Sequence, residues 1–352
     1  MKRVLELARR SNASDIHLVA GVPPTFRVHG EILLANAPPL SREDVARLSV
    51  SLLNEEQRKV FEREWQICCS IFDEELGRFR VSVYYHWGSP EVAIRPVLTE
   101  LRTREELRIP EIAEDFTRLP SGLVLVTGPT GSGKTTTLNF MIDLINSERR
   151  CKVITIEDPV EYVHARKKAI VVQQELYTDV KSFSQALVHV LRQDPDVICI
   201  GEMRDYETTS TALIAAETGH LVIATCHTRD AAQAVERIVS VFPPEQQRQV
   251  VTQLANCLQG VLAQRLVPSA DKKERFLVCE VLVANAAARH HIREGQFHQL
   301  VSVIQTGRRE KMQTMDDSLI ELYEAGGITY DMAVSHASDA EGMRNRLSRK
   351  DS

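Results

Sequence analysis

The chain has 352 residues, 43% of them apolar and 26% charged, with a formal net charge of -5. That length exceeds what one hydrophobic core usually supports, so an ordinary globular protein of two domains is expected. The acidic balance counts against a broad grip on nucleic acid. Phosphate neutralisation favours a basic stripe, and no long Lys/Arg run precedes the tail at 344–350.

Charges interrupt the first seven residues, where a signal peptide needs an apolar core. No apolar run reaches the roughly 18 residues that a spanning helix requires. A cytoplasmic chain is expected, with membrane association only through partners. The cysteines are Cys68, Cys69, Cys151, Cys199, Cys226, Cys257 and Cys279, and none forms a C-x-x-C pair. An odd number, mostly among Val, Ile and Leu, reads as free buried thiols in a reducing compartment rather than a zinc site.

Residues 1–100 alternate short β-rich runs at 15–19, 25–29 and 78–84 with turns marked by Pro23-Pro24 and Pro38-Pro39. Ser41 with Asp44 predicts a capped helix between them. This is the pattern of a small α+β domain. A charged stretch with Pro110 and Pro120 follows, and 101–120 is read as a linker. From Leu123 onward, apolar strands alternate with amphipathic helices, as in a parallel sheet covered on both faces. Strands are predicted at 123–127, 152–156, 197–200 and 221–226. A helix over 182–193 opens on the pair Ser182 and Gln185, and a helix over 207–218 ends at Gly219. Beyond about residue 245 the pattern reads as largely helical to the end, within a domain spanning 121–352.

Gly128-Pro129-Thr130-Gly131-Ser132-Gly133-Lys134-Thr135 fits G-x-x-x-x-G-K-[ST] between an apolar strand and a run, 136–145, suited to a helix. The glycines let backbone N–H groups, with those of Thr136 and its neighbours, converge on phosphates at the positive end of that helix. Lys134 is expected to reach the β- and γ-phosphates and the Thr135 hydroxyl to hold Mg²⁺. ATP and Mg²⁺ are the expected ligands.

Ligands of such sheets lie where the strands end. Glu157 and Asp158 end one predicted strand, Glu202 follows another, and His227 follows a third. Two carboxylates can divide the work of holding the metal's water shell and orienting an attacking water, and an imidazole can sense the γ-phosphate. Glu157 is read as the water-polarising base and Glu202 as the metal-side acid, although the roles can be exchanged.

These segments resemble the secretion-ATPase superfamily, and within it the type IV pilus retraction (twitching motility) branch. Thr155-Ile156-Glu157-Asp158-Pro159-Val160-Glu161-Tyr162 is similar to its Asp box, and 192–205 to its atypical Walker B motif, which ends in Glu. The stretch 216–228, with His220 and His227, resembles its His box. Ser14-Asp15-Ile16-His17-Leu18, 289–295 and 312–316 extend the likeness to nearly the whole chain. The resemblance implies an α/β fold: a RecA-like P-loop ATPase domain with a smaller PAS-like N-terminal domain and a helical C-terminal extension. It implies a ring homohexamer that takes ATP between its domains and works on a pilus platform protein at the cytoplasmic face of the inner membrane. It also implies that Arg78, Arg80 and Arg95 point toward phosphates, a task suited to a permanently charged fork of donors.

Trp65-Gln66-Ile67-Cys68-Cys69-Ser70 departs from the more acidic strand expected there. Tyr84-Tyr85-His86-Trp87 is an unusual aromatic cluster, read first as domain packing. The leading function is a motor ATPase that drives pilus retraction. The nearest alternative is a pilus-assembly or type II secretion ATPase, whose longer N-terminal region and four-cysteine zinc site are not seen in this sequence. A nucleic-acid translocase and a nucleotide-binding regulator with little turnover stand further off. The acidic charge opposes the first, and intact Lys134, Glu157 and Glu202 oppose the second.

Overall fold

The computed structural model describes residues 1–11, 13–28, 30–97, 101–271 and 274–348. His29 of the expected 25–29 strand, residues 98–100 at the domain junction and the end of the basic tail (349–350) lie outside the described residues. The chain divides into two compact units. One comprises Met1–Glu100, Glu157–His164 and Gln173–Ser182; the other holds Leu101–Ile156, Ala165–Val172 and Phe183–Ser352.

The first unit is built on six strands: β1 (Asp15–Leu18), β2 (Thr25–Val28), β3 (Glu31–Leu34), β4 (Gln66–Asp73), β5 (Gly77–His86) and β6 (Ser89–Pro96). They form one antiparallel sheet in the order β3-β2-β1-β6-β5-β4. Helices α1 (Lys2–Arg10), α2 (Arg42–Ser51) and α3 (Glu55–Glu64) supply the rest. Ser41 and Asp44 form the expected reciprocal capping box at the start of α2. Alternation along β5 buries Phe79, Val81 and Val83 with Leu5, Ile16 and Phe61, and leaves Arg78 and Arg80 on the opposite face.

The second sheet contains β7 (Gly122–Thr127), β8 (Lys152–Glu157), β9 (Ile170–Glu175), β10 (Val197–Ile200), β11 (Leu221–Cys226), β12 (Leu258–Pro268) and β13 (Arg275–Val283). Its order is β13-β12-β7-β11-β10-β8-β9, and β12, β7, β11, β10 and β8 run parallel. Every residue of β7, β10 and β11 is buried, as expected of strands covered on both faces. The covering helices include α4 (Arg104–Leu107), α5 (Ile112–Thr117), α6 (Lys134–Glu148), α7 (Phe183–Val190), α8 (Tyr206–Glu217), α9 (Ala231–Ser240) and α10 (Pro244–Cys257). Helix α6 turns Leu138, Met141, Ile142 and Ile145 onto Val124 and Val126 at helical spacing. This is the expected α/β class with a parallel-sheet core.

The chain beyond 245 is largely helical, as expected, and the exception is β12 and β13, which pair antiparallel over nine residues, from Gly260↔Val283 to Pro268↔Arg275. The β12 sequence, with Gln259, Gln264 and Arg265 among its apolar residues, keeps no strict alternation that would mark it as a strand. Its Gly260 is required by packing, since a Cβ there would lie 2.1 Å from the Phe116 ring. Helices α11 (Ala286–Arg293), α12 (Leu300–Thr306), α13 (Met315–Glu324), α14 (Tyr330–His336) and α15 (Ala340–Ser348) follow. The last three pack Met315, Leu319, Ala333 and Leu347 on Val267 and Val278 of the hairpin.

All seven cysteines are free, but Cys68 and Cys151 are only half-buried where full burial was expected. Glu280 on β13 accepts the N–H of Ala231 at 2.8 Å, which caps α9. Burial pushes the Glu280 carboxyl up to about 6, with Asp230 and Asp316 adding to the shift and Arg265 opposing it. The folded value lies above the unfolded one, so folding loses stability as pH rises through about 6. Glu280→Gln keeps an acceptor and removes the charge. It is expected to gain about 1–2 kcal/mol over the parent above that range, with the difference vanishing below the unfolded carboxyl value. Urea unfolding of both proteins at pH values on either side of the transition checks this.

Candidate functional site

The P-loop joins β7 to α6. Gly128, Gly131 and Gly133 have φ of +150°, +77° and +89°, which side-chain-bearing residues rarely adopt. Space as well as φ demands glycine at 128, because a Cβ would lie 2.3 Å from the Gln264 carbonyl and 2.5 Å from Ser132 Oγ. Thr130 and Gly131 form the exposed crest of the loop, with Ser132 buried beneath it. Lys134, 9% exposed, folds back so that its Nζ donates to Gly128 O at 2.8 Å and Pro129 O at 3.1 Å. Burial lowers the Lys134 ammonium below its ordinary value, while the Glu202 carboxylate pulls it upward. Thr135 and Thr136 open helix α6, where its unpaired N–H groups point.

This loop fits a polyphosphate. Ser132 Oγ is buried with no hydrogen-bond partner, an arrangement that costs free energy unless a ligand oxygen satisfies it. Lys134 bonds only carbonyl oxygens of its own loop, which a phosphate anion can outbid. Thr135 brings a hydroxyl to the first turn of α6, next to Lys134. Among the described residues no cluster of three or more His, Cys, Asp or Glu could hold a metal unaided.

The in-register strands bring two further predicted residues to the same sheet edge. Gly201 N–H donates to Ile156 O at 2.7 Å and Met203 N–H to Thr225 O at 2.9 Å, so the backbone of Glu202 is pinned on both sides. Its carboxylate pairs with Arg204 and with His227 Nε2, the latter at 2.9 Å. Burial raises the Glu202 carboxyl, but Arg204 and His227 outweigh it and hold it below the usual carboxylate range. His227 follows directly on β11. The next residue, Thr228, donates its N–H to Thr127 Oγ1 at 2.9 Å and accepts from that hydroxyl in return. Thr127 is the residue before Gly128, so the His227 loop and the P-loop are tied at their roots. His220 has a structural post: its Nδ1 donates to Ala215 O at 3.0 Å, at the end of α8.

The remaining predicted residues belong to the first unit. Glu157 ends β8 and is 4% exposed, with its Oε1 accepting from Gln173 Nε2 at 3.1 Å. Arg80 donates to Cys68 Sγ and to Glu161 Oε1, both at 3.3 Å. Arg95, 64% exposed, forks onto Asp15 Oδ1 at 3.0 and 2.8 Å. Arg80 and Arg95 face each other as a cross-strand pair between β5 and β6. Two guanidinium groups so placed repel, which Glu161 and Asp15 offset and an anionic ligand would offset further. The aromatic cluster is only partly packing: Tyr85 stacks on Phe61 at 4.9 Å, whereas Trp87 lies against His86 and is 85% exposed.

Sequence reasoning does not single out Gln173, Glu175, Thr127 or Thr228. Glu175, 1% exposed, accepts from Ser70 N–H at 3.2 Å, Ser70 Oγ at 2.6 Å, Val160 N–H at 3.1 Å and Thr178 Oγ1 at 3.1 Å, and pairs with Arg78. Burial raises its carboxyl, but these donors bring it below the ordinary value. Recognising Ile170–Glu175 as a strand would have exposed Gln173 and Glu175 as strand-end polar residues like the others.

Residues 1–329 match the family described as Type II/IV secretion system protein. The chain is 42% identical over 343 residues to the twitching motility protein of Neisseria gonorrhoeae, covering 97% of this chain and 92% of that one. It is 41% identical over 338 residues to the type IV pilus retraction ATPase PilT of Pseudomonas aeruginosa, covering 96% and 98% of the two chains. A crystal structure of the pilus retraction motor PilT with bound ADP superposes with a TM-score of 0.90 at 43% identity, over 97% of this chain and 98% of that one. With a family match over nearly its whole length and relatives of this closeness, the chain belongs to the Type II/IV secretion system protein family.

Proposed function

We propose that the chain is a motor ATPase of pilus retraction, which hydrolyses ATP and turns the released free energy into removal of pilin subunits. The observation that carries this reading is the held geometry of Lys134 beneath its glycine loop, beside a Glu202 carboxylate paired with His227. The kinship with twitching-motility and retraction proteins directs it to pili.

In this reading the loop N–H groups from Gly131 to Thr136 and the Lys134 ammonium would hold the phosphates, and Thr135 and Glu202 would hold Mg²⁺. Bound Mg²⁺ supplies charge neutralisation on the phosphate oxygens. Glu157 polarises the attacking water. His227, fastened through Thr228 and hydrogen-bonded to Glu202, reports on the γ-phosphate. Arg80 and Arg95 add positive charge toward phosphates. Residues 1–100, 101–120 and 121–352 serve as N-terminal domain, linker and ATPase domain of a homohexamer. Among the described residues no helix is long and apolar enough to cross a membrane. Attachment at the cytoplasmic face of the inner membrane then runs through a pilus platform protein, and nucleic acid has no part.

Lys134→Ala is expected to lower ATP turnover at least about a hundredfold while the protein still folds, as circular dichroism would read, because the ammonium acts on phosphate charge. Turnover near the parental rate, followed by phosphate release, would end the reading. Glu202→Gln should bind ATP as the parent does yet hydrolyse it about a hundredfold more slowly, with binding measured by calorimetry. Deletion in the source organism should leave long pili that do not retract when imaged live. Bald cells would instead assign the chain to assembly.

A further inference from the structure

Gln173 lies on β9 within the first unit, together with Glu157, Tyr162 and His164. Its amide makes three hydrogen bonds at once. The nitrogen donates to Glu157 Oε1 at 3.1 Å and to Tyr162 O at 2.7 Å, and the oxygen accepts from His164 N–H at 3.0 Å. These partners leave one orientation of the amide: the reverse flip would set its oxygen against a carboxylate and a carbonyl, and its nitrogen against an N–H. The base of Glu157 is fixed as well, since its carbonyl accepts from Leu176 N–H at 2.9 Å.

We propose that Gln173 is the positioning residue that orients the Glu157 carboxylate for ATP hydrolysis, a reading that rests on Glu157 being the water-polarising base. The chemistry favours an amide in that place. A general base needs a fixed direction and an available lone pair, and a cation beside it would orient it while weakening it as a base. A neutral N–H orients at lower cost to basicity. Two arginines of the same unit pair with other acids, Arg78 with Glu175 and Arg80 with Glu161. The Tyr162 and His164 contacts tie the amide to the segment that follows Glu157, so the donor and the carboxylate it serves are held by one short stretch of chain.

The test uses the full chain in steady-state ATP turnover with Mg²⁺, beside Glu157→Gln as reference. Gln173→Leu removes every polar contact at similar volume. Gln173→Glu keeps an oxygen for His164 N–H and lacks any donor for Glu157. Both are expected to lower kcat about tenfold or more while KM stays within about twofold, because the substrate is still held and the base is no longer aimed. A merely structural role would not separate kcat from KM in this way, nor give the same result in the isosteric Gln173→Glu. Parental kcat in both variants with an inactive Glu157→Gln overturns the positioning role and leaves the base assignment standing. A raised KM at parental kcat overturns it too. Parental turnover in Glu157→Gln removes the base reading itself.

Discussion

The structure depends on the register of five parallel strands. Leu125, Ala224, Ile200 and Ile156 stand side by side across β7, β11, β10 and β8, and Thr127 stands beside Cys226. Side chains alternate along a strand, so a one-residue slip would exchange faces that are both buried and move each polar strand end out of line. The apolar content of these strands makes that slip expensive. The P-loop, Glu202 and His227 then leave the sheet from one edge as a consequence of the pairing.

Charge at this edge is controlled by pairing rather than by exposure. Glu202 loses water and would rise toward neutrality, yet Arg204 and His227 keep it ionised. Lys134 meets the opposite pull: burial disfavours its charge, and two loop carbonyls and Glu202 sustain it. In the first unit Glu175 is the counterpart, a carboxylate with almost no solvent contact that gathers β4, β5, the segment after β8 and the turn after β9 through Ser70, Arg78, Val160 and Thr178. Removing one partner of such a buried pair leaves an uncompensated charge, at a cost of about 3–5 kcal/mol. That makes Arg78 a structural arginine first, and leaves Arg80 and Arg95, with their looser and more exposed partners, as the ones freer to serve an anion.

Much of the site was legible because its chemistry is local. A glycine loop between a strand and a helix needs only eight consecutive residues to state its purpose, and Glu157, Glu202 and His227 each follow an apolar run that can be read as a strand. The Ser41–Asp44 box was legible for the same reason, since both partners lie within one turn. Strands β12 and β13 were not, because no strict alternation of apolar and polar residues marks them, and they are strands by pairing with each other and with β7. Strand β9 escaped notice, and with it Gln173 and Glu175.

The amino-acid order by itself determined the phosphate loop, the alternation of apolar strands and helices behind it, and the resemblance that points to a secretion ATPase. These rest on contacts a few residues apart or on periodicity within one element. Only the tertiary structure decided that Thr127 ties to Thr228, that Gln173 donates to Glu157, and that Glu175 captures Arg78. Each of those is a hydrogen bond or ion pair between residues 16 or more positions apart. Such a contact exists only after the entropy of closing the intervening chain has been met by burial elsewhere, so no local pattern announces it.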